Sequence, residues 1–440
     1  PHHIQRQRKQ HYIYSPFKYS IHMNYFFILG NHPELSLAEI SAVLRSENIA
    51  HTIEVVSSDA TTISSDSPLN LKTICNRLGG TIKAGVILDT ISDDPETIYD
   101  YLITHLSETP QEKTVFGISA YTLARGTVSN KPILLSPKGI ERLGLSIKKE
   151  LKSQGGVVRF AMPQQGHALS SVVVEKQHLT DEGNAEFVLL FNAGKWVVGR
   201  TEWVQPFEQY SERDWDRPAK SMDVGMLPPK VAQIMINMAG VSPSPDTVLL
   251  DPFCGLGTVL QEGWLMGFRN FIGSDLEIKN IESTEKNLLW LEKQNPETVS
   301  PTSLRLFQSD VRHLAKEITA NSIDCIVTEP FLGPIVNNKT PQARIQTIQK
   351  ELAELYIESF KVFKDILKPD GVVSIIFPSW NIGGQTIELP IIDAIQKMGF
   401  RNETFPEELD PFMSPSKRES LMYSRAGQTV MRELFVWRKK

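Results

Sequence analysis

Residues 247–275 read TVLLDPFCGLGTVLQEGWLMGFRNFIGSD. A short apolar run ends in Asp251, a loop with Gly255 and Gly257 follows, a helical pattern opens at Thr258, and a second apolar run ends in Asp275. Apolar residues at helical spacing between two β-type runs predict one β-α-β unit. The glycines allow positive φ and let backbone amides approach a ligand closely. Asp275 comes 24 residues after Asp251, near the spacing at which an acid meets ribose hydroxyls. Position 260 is Leu rather than a third glycine, and no lysine follows as in a phosphate-binding loop, so NAD and ATP are disfavoured.

Downstream the rhythm persists. Helical patterns at 277–292, 347–366 and 391–398 alternate with β-type runs at 304–308, 323–327 and 371–378, which predicts a doubly wound, mainly parallel α/β sheet over 230–440. Ligands of such sheets sit beyond the carboxyl ends of the strands, where four acids fall: Asp251, Asp275, Asp310 and Glu329. Residues 417–440 hold seven basic and two acidic side chains, with Phe435 and Trp437 alternating. That pattern suits a strand at a solvated edge or at the flank of a nucleic-acid groove.

Upstream, residues 1–22 carry basic side chains and four histidines but no acid, and read as a disordered leader. Alternating β and helical patterns predict a small α+β domain over 23–108 and a second over 109–201. The second includes an amphipathic helix at 137–153 and two strands around Ala193-Gly194. Six basic and two acidic residues lie between Lys138 and Arg159, a local excess suited to phosphates. Residues 202–229, rich in charge, Trp and Pro, read as a linker, and Pro228-Pro229 starts a helix.

The 440 residues are 41% hydrophobic and 22% charged, as in soluble globular proteins, and no apolar run approaches the ~18 residues of a membrane span. Cys75, Cys254 and Cys325 are too scattered for a disulfide framework or a zinc cluster. A reducing cytosol fits this usage. Cys254 and Cys325 read as core residues rather than nucleophiles. The net charge of −5 exerts no global pull on nucleic acid, so a phosphate-bearing partner needs local basic patches.

DPFCGLGT closely resembles the first motif of class I S-adenosylmethionine-dependent methyltransferases, above all the branch that methylates exocyclic amino groups of nucleic-acid bases. The resemblance implies that Asp251, Pro252, Phe253, Gly255, Gly257 and Thr258 hold the methionine part of S-adenosyl-L-methionine, Asp275 its ribose, and Asp310 with Val311 its adenine. FFILGNHPELSLAEI, SERDWDRP, GMLPPKVAQIMINMAG and SRAGQTVMREL look like the THUMP-domain tRNA guanine-N2 methyltransferases, which act on guanosine 10. That likeness spans nearly everything from Met23 onward. It implies a ferredoxin-like domain at 23–108 and a THUMP domain at 109–201 that grips tRNA, with Lys148, Lys149, Lys152, Arg159, Lys195 and Arg200 as candidate phosphate contacts. A cytoplasmic, metal-free enzyme follows, monomeric or joined by an activating subunit.

After the fourth strand, amino-group methylases typically carry D/N-P-P-Y/F, where this chain reads TEPFLGP. An exocyclic amine is a poor nucleophile because its lone pair is delocalised into the ring. An acceptor on its N–H favours a pyramidal nitrogen, proline stiffens the placement, and an aromatic ring stacks on the base. Glu329, Pro330 and Phe331 are thus the expected catalytic residues. Glu329 is one methylene longer than Asp, and Phe331 stands where the second proline usually does. Two alternatives stay open: an adenine-N6 or cytosine-N4 methylase of DNA or RNA, and a catalytically silent RNA-binding protein on the same fold.

Overall fold

The computed structural model describes residues 23–107, 113–123, 132–220, 226–403, 418–425 and 427–440; the expected leader at 1–22 lies outside them. Strand β1 (Met23–Leu29) alternates its side chains between two apolar layers, Tyr25, Phe27 and Leu29 on one face and Phe26 and Ile28 on the other. Helix α1 (Pro33–Ser46) opens with proline in its first turn, where a missing N–H costs nothing. There follow β2 (His51–Val56), β3 (Ala60–Ser65), α2 (Leu71–Cys75), β4 (Thr81–Ser92), α3 (Pro95–Ser107), β5 (Thr114–Thr122), α4 (Pro137–Ser153), β6 (Val158–Ala161), α5 (Ser171–Lys176), β7 (Ala185–Asn192) and β8 (Lys195–Val204). These eight strands form one sheet in the order β2-β3-β1-β4-β8-β7-β5-β6. It is antiparallel up to β7, which runs parallel to β5, as β5 does to β6. Because β4 pairs with β8, the stretches on either side of residue 108 share one ladder.

The second half starts with α6 (Phe207–Ser211) and a π-helical turn at Glu212–Asp216. Then come α7 (Pro229–Met238), β9 (Val248–Asp251), α8 (Thr258–Leu265), β10 (Asn270–Asp275), α9 (Ile278–Gln294), β11 (Ser303–Gln308), β12 (Ile323–Thr328), α10 (Gln342–Ile366), β13 (Leu367–Ile382), β14 (Gln385–Ile387), α11 (Ile392–Lys397), β15 (Phe400–Asn402), β16 (Leu421–Tyr423) and β17 (Val430–Lys439). Their sheet runs β11-β10-β9-β12-β13-β17-β15, with β14 on β13 and β16 on β17. It is parallel from β11 to β13, as expected, and β17 enters antiparallel. Strand order reverses direction between β9 and β12, which opens a crevice beyond their carboxyl ends.

The tail strand corrects the expectation of an edge. β17 lies between β13 and β15 and is apolar on both faces, sending Leu434 and Val436 into one layer and Phe435 and Trp437 into the other. Its arginines have carboxylate partners, Glu329 for Arg432 and Glu403 for Arg438.

One apolar core joins the two halves. Helix α7 is buried nearly all round, and Val231, Ile234, Met235 and Met238 share a layer with Tyr25 and Leu37 on one side and Leu249 and Val436 on the other. Inside this seam the Glu39 carboxylate accepts the N–H groups of Gly79 (2.9 Å) and Gly80 (2.8 Å) and the Asn237 amide (2.7 Å). The approach is tight enough to require glycine: a Cβ at Gly79 would come to 2.2 Å from the Lys230 carbonyl oxygen.

The expected linker is a strap. Arg213 forks onto Glu262 of α8 at 2.7 and 3.2 Å, Arg217 donates to Thr258 Oγ1 at 2.7 Å, and Asn287 of α9 holds both the N–H and the carbonyl of Ala219.

Burial lifts the Glu39 pKa from its ordinary 4.5 to about 7, against the opposing hydrogen bonds from Gly79, Gly80 and Asn237. The native carboxyl therefore keeps its proton over a range where the unfolded one has lost it. Its stability contribution is complete below the ordinary value and disappears as pH rises to about 7, on the order of 3 kcal/mol in all. Glu39→Gln has no such proton, so the wild-type-minus-variant difference in unfolding free energy should fall between about pH 5 and pH 8; a constant difference contradicts the assignment. Arg213→Ala leaves the Glu262 carboxylate buried without its fork and should cost about 3–5 kcal/mol in denaturant unfolding, whereas the paired change Arg213→Met with Glu262→Leu should recover most of it.

Candidate functional site

The first motif folds as its residues dictate. Asp251 ends β9, and its buried carboxylate accepts the hydroxyl of Thr328, the last residue of β12, at 2.7 Å and the Phe253 N–H at 3.2 Å. That bond ties together the two strand ends between which the crevice opens. The loop then turns through Gly255 and Gly257, both at positive φ (51° and 78°), and α8 begins at Thr258. A Cβ at Gly257 would press to 2.8 Å on Thr284, whereas at Gly255 it would meet only the Phe253 carbonyl oxygen at 3.9 Å. The loop is thus closed behind and open in front, and a ligand can reach its backbone.

Asp275, at the end of β10, accepts the Gly255 N–H at 2.9 Å, the Glu277 N–H at 3.0 Å and the Asn280 amide at 2.9 Å. It braces the loop as well as bordering it. Burial pushes the Asp251 pKa up to about 7, offset in part by the bonds from Thr328 and Phe253 and reinforced by the charges of Asp275 and Glu329. Asp275 and Glu329 therefore both lie within electrostatic reach of Asp251. The fourth, Asp310, follows β11 and caps the turn at Val311–Lys316, with Val311 buried beneath it. The Arg312 guanidinium engages both its oxygens and holds its pKa down at about 2.

Glu329 directly follows β12, and Pro330 behind it is buried. Phe331 is 57% exposed, a large ring left facing solvent at the crevice. Its carbonyl oxygen accepts the hydroxyl of Tyr356, a fully buried residue of α10, at 2.7 Å. Glu329 itself is in a forked ion pair with Arg432. Cys254 and Cys325 are buried and burial raises both thiol pKa values, which disfavours the nucleophilic thiolate.

Sequence patterns did not reveal Arg432, Arg217 or Tyr356 as parts of this region. Arg217 and Arg432 had the clearest signals, since they belong to the quoted SERDWDRP and SRAGQTVMREL stretches, yet nothing local says that they reach Thr258 and Glu329.

The basic residues of the first half do not gather. Phe160 packs on α4 at Gly144, so its neighbour Arg159 points to the opposite face of the sheet from Lys148, Lys149 and Lys152. Arg200 on β8 is three strands from β6, roughly 14 Å, and pairs with Glu202; Lys195 is exposed at the β7–β8 turn. Among the described residues there is no group of three or more metal-ligating side chains and no helix long and apolar enough to cross a membrane.

Comparison with known proteins bears on the fold and the family. A family model described as UPF0020, RMKL-like, methyltransferase domain, matches residues 217–382, from the strap through β13. The solved structure of TrmN from Thermus thermophilus superposes on 95% of this chain and all of its own, with a TM-score of 0.53 at 15% identity, so the two share a fold. The tRNA (guanine(10)-N2)-dimethyltransferase of Methanothermobacter thermautotrophicus is 35% identical over 109 residues, 25% of this chain and 28% of that protein. A probable tRNA (guanine(10)-N2)-dimethyltransferase of Methanothermococcus thermolithotrophicus is 32% identical over 143 residues, 32% of this chain and 75% of the relative. With three quarters of that relative matched and the strand-end acids in place, the chain belongs to the tRNA (guanine(10)-N2)-dimethyltransferase family.

Proposed function

We propose that this chain transfers a methyl group from S-adenosylmethionine to the exocyclic N2 amino group of a guanosine in tRNA, at position 10. The observation that carries the proposal is the convergence of Asp251, Asp275 and Glu329 beyond the carboxyl ends of β9, β10 and β12.

The residues present suit the cofactor. The loop from Asp251 to Thr258 is open at Gly255, and Asp275 and Asp310 offer acceptors for ribose hydroxyls and an adenine amino group. When bound, S-adenosylmethionine supplies a methyl group on a positively charged sulfur. The chain's own residues then have to make a weak amine attack it. Glu329 accepts an N–H of the guanine, which favours a pyramidal nitrogen with its lone pair directed at the methyl carbon, and later receives the proton that the methylated amine sheds. Phe331 provides a ring on which the base stacks, and the Tyr356 hydroxyl keeps the Phe331 carbonyl from drifting.

RNA would be gripped by exposed basic groups of the first half, such as Lys149 and Lys152 on α4 and Arg200. A division into a ferredoxin-like unit to about 108, a THUMP unit to about 201 and a methylase unit from 230 accords with this, as does a cytoplasmic site of action.

Incubating the purified chain with tRNA, DNA and cofactor labelled in its methyl group tests the proposal. Label should appear in N2-methylguanosine or N2,N2-dimethylguanosine; label only in methyladenine or methylcytosine refutes it, and tRNA binding without turnover would mark a silent RNA-binding protein. Glu329→Ala should lower the turnover number by about 10²–10⁴-fold with cofactor affinity largely kept. Loss of cofactor binding as the main defect would remove Glu329 from the transfer step.

A further inference from the structure

Arg432 is brought to Glu329 across 103 residues of sequence by the insertion of β17 beside β13. Its Nε lies 2.5 Å from Glu329 Oε2 and its Nη2 3.1 Å from Oε1, and the two side chains are only 11% and 10% exposed. Arg432 is itself hemmed in, standing opposite Pro378 of β13 and Tyr423 of β16. The Tyr423 ring lies 4.5 Å from the ring of His32, the residue that leads into α1. A row of contacts thus runs from the first half of the chain to the acid at the crevice.

We propose that Arg432 is a positioning residue for the methyl transfer, fixing where the Glu329 carboxylate presents its acceptor oxygens. The inference rests on the role given to Glu329 above. A glutamate has one more rotatable bond than the aspartate usual at this point, and its carboxylate would otherwise sample several rotamers. A guanidinium fork accepts a carboxylate in one plane and at one distance, which removes that freedom. Each carboxylate oxygen still has a second lone pair with which to accept the guanine N–H. The pair contributes little net stability, because at this depth the desolvation of both charges offsets most of their attraction. Its effect is therefore geometric. Misplacement by about 1 Å can cost on the order of 10²-fold in rate, so geometry alone accounts for a large kinetic effect.

The test uses the full chain and tRNA with Arg432→Met, Arg432→Lys, Glu329→Gln and the double change Arg432→Met with Glu329→Gln. Arg432→Met should lower kcat by about 10²-fold while the KM values for cofactor and tRNA move less than about threefold. Arg432→Lys, which keeps the charge but loses the fork, should recover part of that loss. The double variant should be no slower than Glu329→Gln alone, since Arg432 acts only through Glu329. Thermal unfolding identifies a variant that fails to fold, and Arg432→Gln then takes the place of the methionine. Wild-type kcat in Arg432→Met, or losses that multiply in the double variant, overturns the inference. Inactivity of the wild-type chain on tRNA overturns the proposed function instead, and full activity of Glu329→Ala overturns the role of that acid; neither result is produced by failure of the Arg432 assignment alone.

Discussion

Like charges that must share one rim are the constraint around which the second half is built. Asp275 and Glu329 both stand within electrostatic reach of the buried Asp251, and such a group stays folded only if each charge is answered. Three different answers are present. Asp251 is so deeply buried that its pKa climbs to about 7, with the Thr328 hydroxyl at hand. Asp275 collects two backbone N–H groups and one amide. Glu329, the nearest to solvent of the three, has a full counter-charge in Arg432. The loop, the switch between β9 and β12 and the insertion of β17 each provide one of these partners, so the electrostatics and the topology have the same solution.

How much of this was legible in the sequence follows from how local each cause is. The β-α-β unit at 247–275 was readable because its apolar periodicity, its glycines and its terminal acids lie within one window. The positive φ at Gly255 and Gly257 and the start of α8 at Thr258 fall where that window put them. Arg432 and Tyr356 were not readable, since they meet the fourth-strand motif only after sheet and helix are assembled. The tail shows the same limit from the other side. Arginines on a strand resemble an edge until the partners at 329 and 403 are known. Composition likewise suggested one basic patch in the first half, but strand alternation sends Arg159 away from α4.

The seam between the halves decides what the first half can contribute. A hinged first half would leave the distance between its basic residues and Glu329 undefined. Here α1 and α7 share a core with both sheets, and Glu39, Asn237 and Gly79 interlock across it. A buried carboxyl at such a seam is costly unless it is hydrogen-bonded, and Glu39 accepts three N–H donors. The basic groups of the first half consequently keep a fixed relation to the crevice.

The same logic extends into the first sheet, at the point where it changes from antiparallel to parallel. Lys83 of β4 and Glu186 of β7 form an ion pair with side-chain exposures of 1% and 0%. Burial alone would lower the Lys83 pKa, but the adjacent Glu186 carboxylate and the Tyr121 hydroxyl together outweigh it and raise it. Ser119 of β5 and Thr201 of β8 both donate to Glu186, and Lys83 also reaches the Leu169 carbonyl oxygen at 2.7 Å. Four strands and one loop are thus held by a single satisfied cluster. Replacing such a pair by apolar residues is often neutral for stability, so its value lies elsewhere. A slip of one residue in any of the four strands would turn its polar member to the opposite face and leave a buried charge without a partner. The cluster therefore fixes register where the mixed sheet is least constrained by pattern alone.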